Sequence, residues 1–272
     1  MVILIFISVL VFLLGMSWGS FVNMLEYRVA VGYGLRNNKG KRRGRADTGV
    51  RPYYKKRSFC DWCGVKLNWY DNIPLFSWIF LKGKSRCCGN PLPYSYPLVE
   101  IILGVIFVII FWVNFGNWIQ IIFLMLISVF LVFSFIFDLK YMVLPDFSTV
   151  ILILVSVGFV IVQPLESPLQ QHILAAVGST LFLGVLYLIT KGKGMGLGDV
   201  KLATFIGLFL GYKAVVAYYV AFLTGAVLGA GLMLLKRVKK TTPIPFGPFL
   251  ILGVVVAYWW GGKIIFWVQG FM

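Results

Sequence analysis

The stretch WIQIIFLMLISVFLVFSFIFDLKYMVLPD, residues 118–146, joins a long apolar run to the acidic residue Asp138. Its first part, residues 118–137, has the length of about 20 residues that a helix needs to cross a bilayer core about 30 Å thick. The whole chain shares this composition, because 60% of its residues are hydrophobic and only 12% are charged. Soluble domains average about 25% charged residues. The sequence therefore predicts an integral membrane protein.

Comparable apolar runs recur along the chain and predict an all-α, polytopic membrane bundle of about eight transmembrane helices. The runs cover residues 2–25, 96–113, 118–137, 147–162, 172–189, 200–210, 215–235 and 246–268. The sixth run is short for a crossing. Its helix is expected either to start earlier, in the glycine-rich segment before it, or not to cross fully.

The positive charge is concentrated between the first two runs, where 15 of the 25 Lys and Arg residues lie between Arg28 and Arg86. Loops rich in Lys and Arg face the cytoplasm in membrane proteins. We therefore expect a first transmembrane helix at residues 1–27, a basic cytoplasmic loop at 28–95 and a membrane domain at 96–272, with both termini outside. The basic run has no repeated aromatic spacing, so lipid headgroups rather than nucleic acid are the expected partner of the loop.

All four cysteines lie in this loop, as CDWCG at Cys60 and Cys63 and as SRCCG at Cys87 and Cys88. Two CxxCG knuckles make a closed zinc site. The second knuckle is irregular, because Ser85 stands where a regular spacing has cysteine. The pattern favours a structural zinc site, either with all four cysteines and Cys87 in a shifted position or with three thiolates and another ligand. It leaves free thiols or a disulfide as alternatives.

Three of the nine acidic residues, Asp138, Asp146 and Asp199, lie beside apolar runs. Asp199 belongs to KGKGMGLGDVKL, in which Gly194, Gly196 and Gly198 are expected to interrupt regular helix and to let another backbone approach closely. These carboxylates are predicted to lie near the cytoplasmic ends of their helices.

Two carboxylates from separate helices can form a catalytic pair. At about 4 Å and an effective dielectric near 20, their repulsion is on the order of 4 kcal/mol, so one of them keeps a proton. The ionised group then deprotonates water while the protonated group activates a peptide carbonyl, which is aspartic-protease chemistry. Solvated helix ends, or a proton-coupled transporter or membrane scaffold, remain possible from these residues alone.

Six motifs occur in an order that resembles the type IV prepilin peptidases, a group of GxGD-type membrane aspartic proteases. They are GSFVNMLEYR, CDWCGVKLNWYDNIPLFSWIFLKGKSRCCG, YPLVE, DLKYMVLPD, GMGLGDVKL and TPIPFGPFL. Together they extend over nearly the whole chain.

The resemblance implies a bifunctional enzyme of the bacterial cytoplasmic membrane. It would remove the leader peptide of type IV prepilins or pseudopilins and then methylate the new N-terminus with S-adenosylmethionine, with no metal expected for peptide cleavage. A peptidase that lacks the methyltransferase activity is an alternative. The residues that match the family's functional motifs are Asp138 and Asp199 as catalytic groups, Asp146, Gly196, Gly198 and Lys201 in support, and Asn23, Arg28 and Glu100 for methyl transfer.

Overall fold

The computed structural model describes residues 2–35, 58, 60, 62–163, 168–192, 194–235 and 244–270. Within these residues there are nine α-helices and no strand. The helices are α1 (Val2–Gly32), α2 (Phe76–Phe80), α3 (Ser95–Val113), α4 (Trp118–Tyr141), α5 (Asp146–Val162), α6 (Leu169–Thr190), α7 (Leu197–Leu210), α8 (Ala214–Leu234) and α9 (Gly247–Gln269). The chain divides into two compact units, Met1–Val129 and Phe130–Met272.

The all-α membrane fold is confirmed, since each of the eight predicted apolar runs coincides with an α-helix. Six segments of the described residues are long and apolar enough to cross a membrane. They are Val2–Gly32, Ser95–Val113, Trp118–Tyr141, Leu169–Thr190, Leu197–Leu234 and Gly247–Gln269. The segment Leu197–Leu234 contains both α7 and α8, joined by a single 3-10 turn, and α5 is apolar but shorter. Helix α7 corresponds to the sixth run and begins at Leu197, inside the glycine-rich segment. This agrees with the expectation that the helix starts earlier than the apolar run.

In the first unit, α1 packs closely on α3 through small residues. A Cβ atom added to Gly19 would lie 2.5 Å from the Cα of Glu100, and one added to Gly15 would lie 2.6 Å from the carbonyl oxygen of Leu103. Glycine at these positions lets the two backbones touch, which is how membrane helices associate without a hydrophobic driving force. Because of this contact, Glu100 lies directly against α1.

The loop between α1 and α3 lies partly outside the described residues, which leave out its basic run at residues 36–57. Its described part carries α2, a 3-10 helix (Trp69–Asn72) and the four cysteines. An ion pair of 2.7 Å between Arg86 Nε and Asp71 Oδ1 links two parts of this segment. This small cysteine-containing domain agrees with the prediction.

In the second unit, α7 packs against α5 and α6, and α9 packs against α8. A side chain at Gly207 would collide with the backbone of α6 at Ala175, and one at Gly253 would collide with the backbone of α8 at Ala217. These glycine contacts bring the helix backbones together. They position α7 and α9, which carry Asp199 and Gly247, within the second unit.

Candidate active site

Asp138 lies near the C-terminal end of α4 and is 5% exposed. Its Oδ2 accepts a hydrogen bond of 3.0 Å from the backbone N–H of Gly247, the first residue of α9. An N–H in the first turn of a helix has no acceptor within the helix, so it is free to donate to a side chain. The positive end of the α9 dipole faces the same carboxylate.

The carboxyl group of Asp199 is also held by a backbone N–H, here from the start of its own helix. Asp199 is the third residue of α7 and is 6% exposed. Its Oδ2 accepts a hydrogen bond of 3.1 Å from the backbone N–H of Gly196, the residue just before the helix. The side chain thereby caps the first turn of α7.

The two carboxyl groups interact electrostatically with each other. Each has one oxygen held by a glycine N–H, and within the described residues neither Oδ1 has a hydrogen-bond partner. The structure therefore brings Asp138 and Asp199 together, in a nearly buried position, as a pair of carboxyl groups with one free oxygen each. We refer to them as the dyad.

The three glycines of the segment before Asp199 differ in their position relative to α7. Gly194 and Gly196 precede α7, but Gly198 is the second residue of the helix, so the expectation that it interrupts the helix is wrong. The capping bond to Asp199 fixes this first turn, so a glycine is tolerated in it. A Cβ at Gly198 would lie 2.8 Å from the Cβ of Leu144, so the missing side chain allows α7 to touch the turn before α5.

Asp146 and Lys201 contact each other. Asp146 is the first residue of α5, and its Oδ1 receives a hydrogen bond of 2.7 Å from Lys201 Nζ on α7. The pair is exposed, with side-chain exposures of 46% for Lys201 and 64% for Asp146. It joins α5 to α7 beside the dyad and takes no part in the hydrogen bonds of either dyad carboxyl group.

Gly247 is a site residue that the sequence reasoning missed. The motif TPIPFGPFL is one of the six that carry the family resemblance, but none of its residues is among the predicted site residues. The useful signal was the glycine between Phe246 and Pro248, at the predicted start of a helix. A Cβ at Gly247 would lie 2.6 Å from Asp138 Oδ2, so glycine is required for the hydrogen bond seen here.

The residues predicted for methyl transfer line a cavity in the first unit. Asn23, Arg28 and Glu100 all face this space of about 170 Å³, together with Asp71, Trp78 and Arg86. Asn23 Nδ2 also donates a hydrogen bond of 3.0 Å to the carbonyl oxygen of Tyr96. The structure thus places two residues of α1 and one of α3 around one cavity.

Two polar groups in this cavity bear on what it can bind. The carboxylate of Glu100 is buried, and its Oε2 accepts a hydrogen bond of 2.7 Å from the backbone N–H of Leu75. The indole N–H of Trp78 is buried without an acceptor in the described part of the chain. A buried donor without a partner costs about 1–3 kcal/mol. A ligand with a hydrogen-bond acceptor would remove this penalty.

The four cysteines form one cluster of free thiols. All four sulfur atoms lie within 4.8 Å of one another, with Cys60 Sγ 3.8 Å from Cys88 Sγ. Zinc binds thiolates at about 2.3 Å, which puts the sulfurs of a tetrahedral site about 3.8 Å apart. The donor set fits one zinc ion, and Cys63 Sγ and Cys87 Sγ, which are 2.9 Å apart, would separate by about 0.9 Å to hold it.

The irregular second knuckle has the same backbone as the first. The N–H of Gly64 donates to the carbonyl oxygen of Cys60 at 2.8 Å, and the N–H of Gly89 donates to that of Ser85 at 2.8 Å. Both glycines have positive φ, of 68° and 67°. Ser85 thus occupies the position that Cys60 has in the first knuckle. The missing sulfur comes from Cys87, whose Sγ is 3.1 Å from the Ser85 hydroxyl.

The thiols of the second knuckle ionise differently. Desolvation raises the pKa of Cys87 to about 12, and the hydrogen bond with Cys63 adds to this effect. Desolvation also opposes ionisation of Cys88, but hydrogen bonds from Asn90 and Ser85 outweigh it and lower the pKa of Cys88 to about 6. Because the thiolate is the metal-binding form, Cys88 is the first of these two ligands to become available.

Comparison with known proteins gives two family matches that together cover most of the chain. Residues 13–114 match the Bacterial Peptidase A24 N-terminal domain, and residues 124–234 match the Type IV leader peptidase family. The chain is 34% identical to a prepilin leader peptidase/N-methyltransferase of Aeromonas hydrophila, over 95% of this chain and 92% of the relative. The protein of the same name from Xanthomonas campestris is 38% identical over 74% of this chain and 71% of the relative. That from Bacillus subtilis is 31% identical over 77% and 84%. No solved structure matches the chain.

Proposed function

The chain belongs to the type IV leader peptidase family, and on that basis we propose that the dyad cleaves the leader peptide of type IV prepilins or pseudopilins. The protein is a multi-pass inner-membrane aspartic peptidase that also N-methylates the new N-terminus. The observation that carries the assignment of the dyad is the paired geometry of Asp138 and Asp199. Both carboxyl groups are nearly buried, and each has one oxygen fixed by a glycine N–H.

Cleavage follows from a proton shared between the two carboxyl groups. One carboxylate takes a proton from a water molecule as the water oxygen bonds to the peptide carbonyl carbon. The other carboxyl group, which is protonated, gives its proton to the carbonyl oxygen. The first carboxyl group then gives its new proton to the amide nitrogen, the C–N bond breaks, and the second carboxylate takes a proton back from a hydroxyl of the intermediate as the new carboxyl group forms. The hydrogen bonds from Gly196 and Gly247 hold one oxygen of each carboxyl group in place, so that the free oxygens are positioned to transfer these protons.

We place the dyad and the cysteine-containing loop on the cytoplasmic side. The concentration of Lys and Arg between the first two apolar runs supports this orientation. A substrate whose apolar stem lies in the bilayer keeps its leader in the cytoplasm. The scissile bond would then lie at the same membrane boundary as the ends of α4 and α7.

The cavity in the first unit is our proposed site for methyl transfer. S-adenosylmethionine supplies an activated methyl group when it binds there. The residues fit such a ligand: Trp78 offers a buried N–H, and Arg28 offers a cation for a carboxylate group. Asn23 and Arg28 come from α1 and Glu100 from α3, so the packing of these helices shapes the site.

The cysteine cluster is our proposed structural zinc site, with Cys60, Cys63, Cys87 and Cys88 as ligands. Cys60 belongs to the cluster, Ser85 contacts it, and both residues line the cavity. A zinc ion held by the cluster would therefore order one wall of the proposed methyl-transfer site. It would take no part in peptide cleavage.

Co-expression with a prepilin in a host without its own leader peptidase tests the proposed function. We expect a mobility shift of the size of the leader, and intact-mass analysis of the product should show an additional mass of about 14 Da for one methyl group. A shift without the added mass would identify a peptidase that lacks the transferase activity. Absence of any shift, with the protein present in the membrane, would refute the peptidase and favour the transporter or scaffold alternative.

A further inference from the structure

Glu100 is a buried carboxylate for which no cation is provided within the described residues. It is 7% exposed and lines the cavity of the first unit. Its contacts are with hydrogen-bond donors that carry no charge, the N–H of Leu75 and the hydroxyl of Ser20. The other acidic residue of the cavity, Asp71, is paired with Arg86. A buried carboxylate without a counter-ion is costly, and a positively charged ligand group would offset that cost.

The position of Glu100 indicates which positively charged ligand group it binds. Glu100 lies in the second turn of α3 and beside α1, both of which have the length of membrane spans. Asp71 and Arg86, at another part of the cavity wall, belong to the loop domain instead. A cleaved substrate with its stem in the bilayer presents its new α-amine at the depth of the helix ends. A water-soluble methyl donor reaches the cavity from the loop domain.

We propose that Glu100 binds the new N-terminal ammonium group of the cleaved substrate and takes its proton before methyl transfer, an inference that rests on the proposed function. The ammonium group loses one proton to the Glu100 carboxylate, which frees the nitrogen lone pair. The amine nitrogen then forms a bond to the methyl carbon as the S–C bond of S-adenosylmethionine breaks, and the electron pair of that bond stays on sulfur. The product is a methylammonium group, and the proton on Glu100 passes to water.

The hydrogen bonds to Glu100 have a positioning role in this scheme. The Leu75 N–H occupies Oε2, and the contact of Gly19 with the Glu100 backbone fixes the depth of the side chain relative to α1. The hydroxyl of Ser20 reaches the same carboxylate from the neighbouring position on α1. Removing that hydroxyl should loosen the carboxylate without removing the base.

The test compares wild-type protein with Glu100→Gln and Glu100→Asp on a prepilin in lipid vesicles. At pH 7, Glu100→Gln should retain cleavage and lose methyl transfer by about 10²- to 10⁴-fold, the usual contribution of a general base. Its residual rate should rise with pH until the free α-amine, with a pKa of about 7.7–8.0, is deprotonated in solution. Glu100→Asp should recover part of the rate. Affinity for S-adenosylhomocysteine, measured by calorimetry without substrate, should change by less than about threefold.

Three results would overturn the inference while leaving the proposed function intact. They are wild-type methylation by Glu100→Gln, a low rate in that variant that does not rise with pH, and a loss of S-adenosylhomocysteine affinity as large as the loss of rate. The last would make Glu100 part of the donor site. Absence of methylation in the wild-type protein would refute the proposed transferase itself.

A second pair of variants covers the case in which Glu100→Gln fails to accumulate in the membrane. Ser20→Ala removes the hydroxyl that contacts Glu100, whereas Ser17→Ala, on the same helix, removes an exposed hydroxyl bonded to the carbonyl oxygen of Leu13. Ser20→Ala should slow methyl transfer several-fold at unchanged cleavage, and Ser17→Ala should slow neither. Equal methyl-transfer rates in the two variants would contradict the role of Glu100.

Discussion

Gly247→Ala should damage catalysis through one methyl group placed against Asp138. The added Cβ would lie 2.6 Å from Asp138 Oδ2 and 3.2 Å from its Cγ. An ordinary contact is about 3.4 Å or longer, so the carboxylate or the start of α9 must move by about 0.8 Å. That movement lengthens or breaks the hydrogen bond of 3.0 Å from the Gly247 N–H. Misplacement of a catalytic group by about 1 Å can cost about 10²-fold in rate.

The substitution should not harm the fold in the same proportion. Alanine is a better helix former than glycine by about 1 kcal/mol, which favours α9 and acts against any loss from the local clash. We therefore expect kcat for prepilin cleavage to fall about 10²-fold in purified protein, with a much smaller change in KM and normal accumulation in the membrane. Gly178→Ala is the matched control, because a Cβ at Gly178 meets no atom within 4 Å. A kcat for Gly247→Ala equal to that of Gly178→Ala would refute the positioning of Asp138 by Gly247.

Four further variants test other parts of the account. Gly198→Ala should lower the rate of cleavage, because its new Cβ would lie 2.8 Å from Leu144 and would push α7 away from that residue. Gly196→Ala should cleave at a rate near that of the wild type, because its new Cβ has its nearest contact at 3.5 Å. Equal rates for the two variants in a cleavage assay would contradict this prediction. Asp146→Asn should retain much of its cleavage activity, because an exposed ion pair contributes about 1 kcal/mol or less, and complete inactivity would give Asp146 a catalytic role. A Cys60→Ser, Cys63→Ser double variant that still accumulates should cleave prepilin and leave most of the product unmethylated by intact mass. Full methylation would separate the cysteine cluster from the transferase.

The membrane fold could be predicted from sequence because the bilayer imposes a length on each apolar run. The pattern of apolar residues located eight of the nine α-helices of the described residues, all except the short α2. It could not give the true end of α1, which continues past the predicted end at residue 25 to Gly32, because a helix can leave the membrane and remain helical. It also could not show that α7 begins with a capping carboxylate, since the bond from Gly196 to Asp199 depends on the backbone conformation there.

The acidic residues of the candidate site could be predicted from the sequence, but the backbone N–H groups that donate to them could not. Asp138 and Asp199 were identifiable because carboxylates are rare beside apolar runs and because they match family motifs. Gly247 lies 109 residues from Asp138, and a hydrogen bond from a main-chain N–H leaves almost no trace in the identity of the residue. Its glycine is required by a clash that only the packing of α9 against the end of α4 reveals.

The cysteine cluster shows a third kind of limit. Residue spacing identified the first knuckle and marked Ser85 as irregular. The repeated turn at Gly64 and Gly89, which places Ser85 in the position of a ligand and lets Cys87 supply the sulfur, is a property of the folded backbone.

The central claim is that Asp138 and Asp199 together hydrolyse the prepilin leader bond. The direct measurement is the cleavage rate of purified Asp138→Asn and Asp199→Asn proteins on a prepilin in lipid vesicles, followed by intact mass. An amide cannot take or give the shared proton, so each variant should insert into the membrane normally and leave the precursor uncleaved. Near-normal cleavage by either variant would contradict the claim.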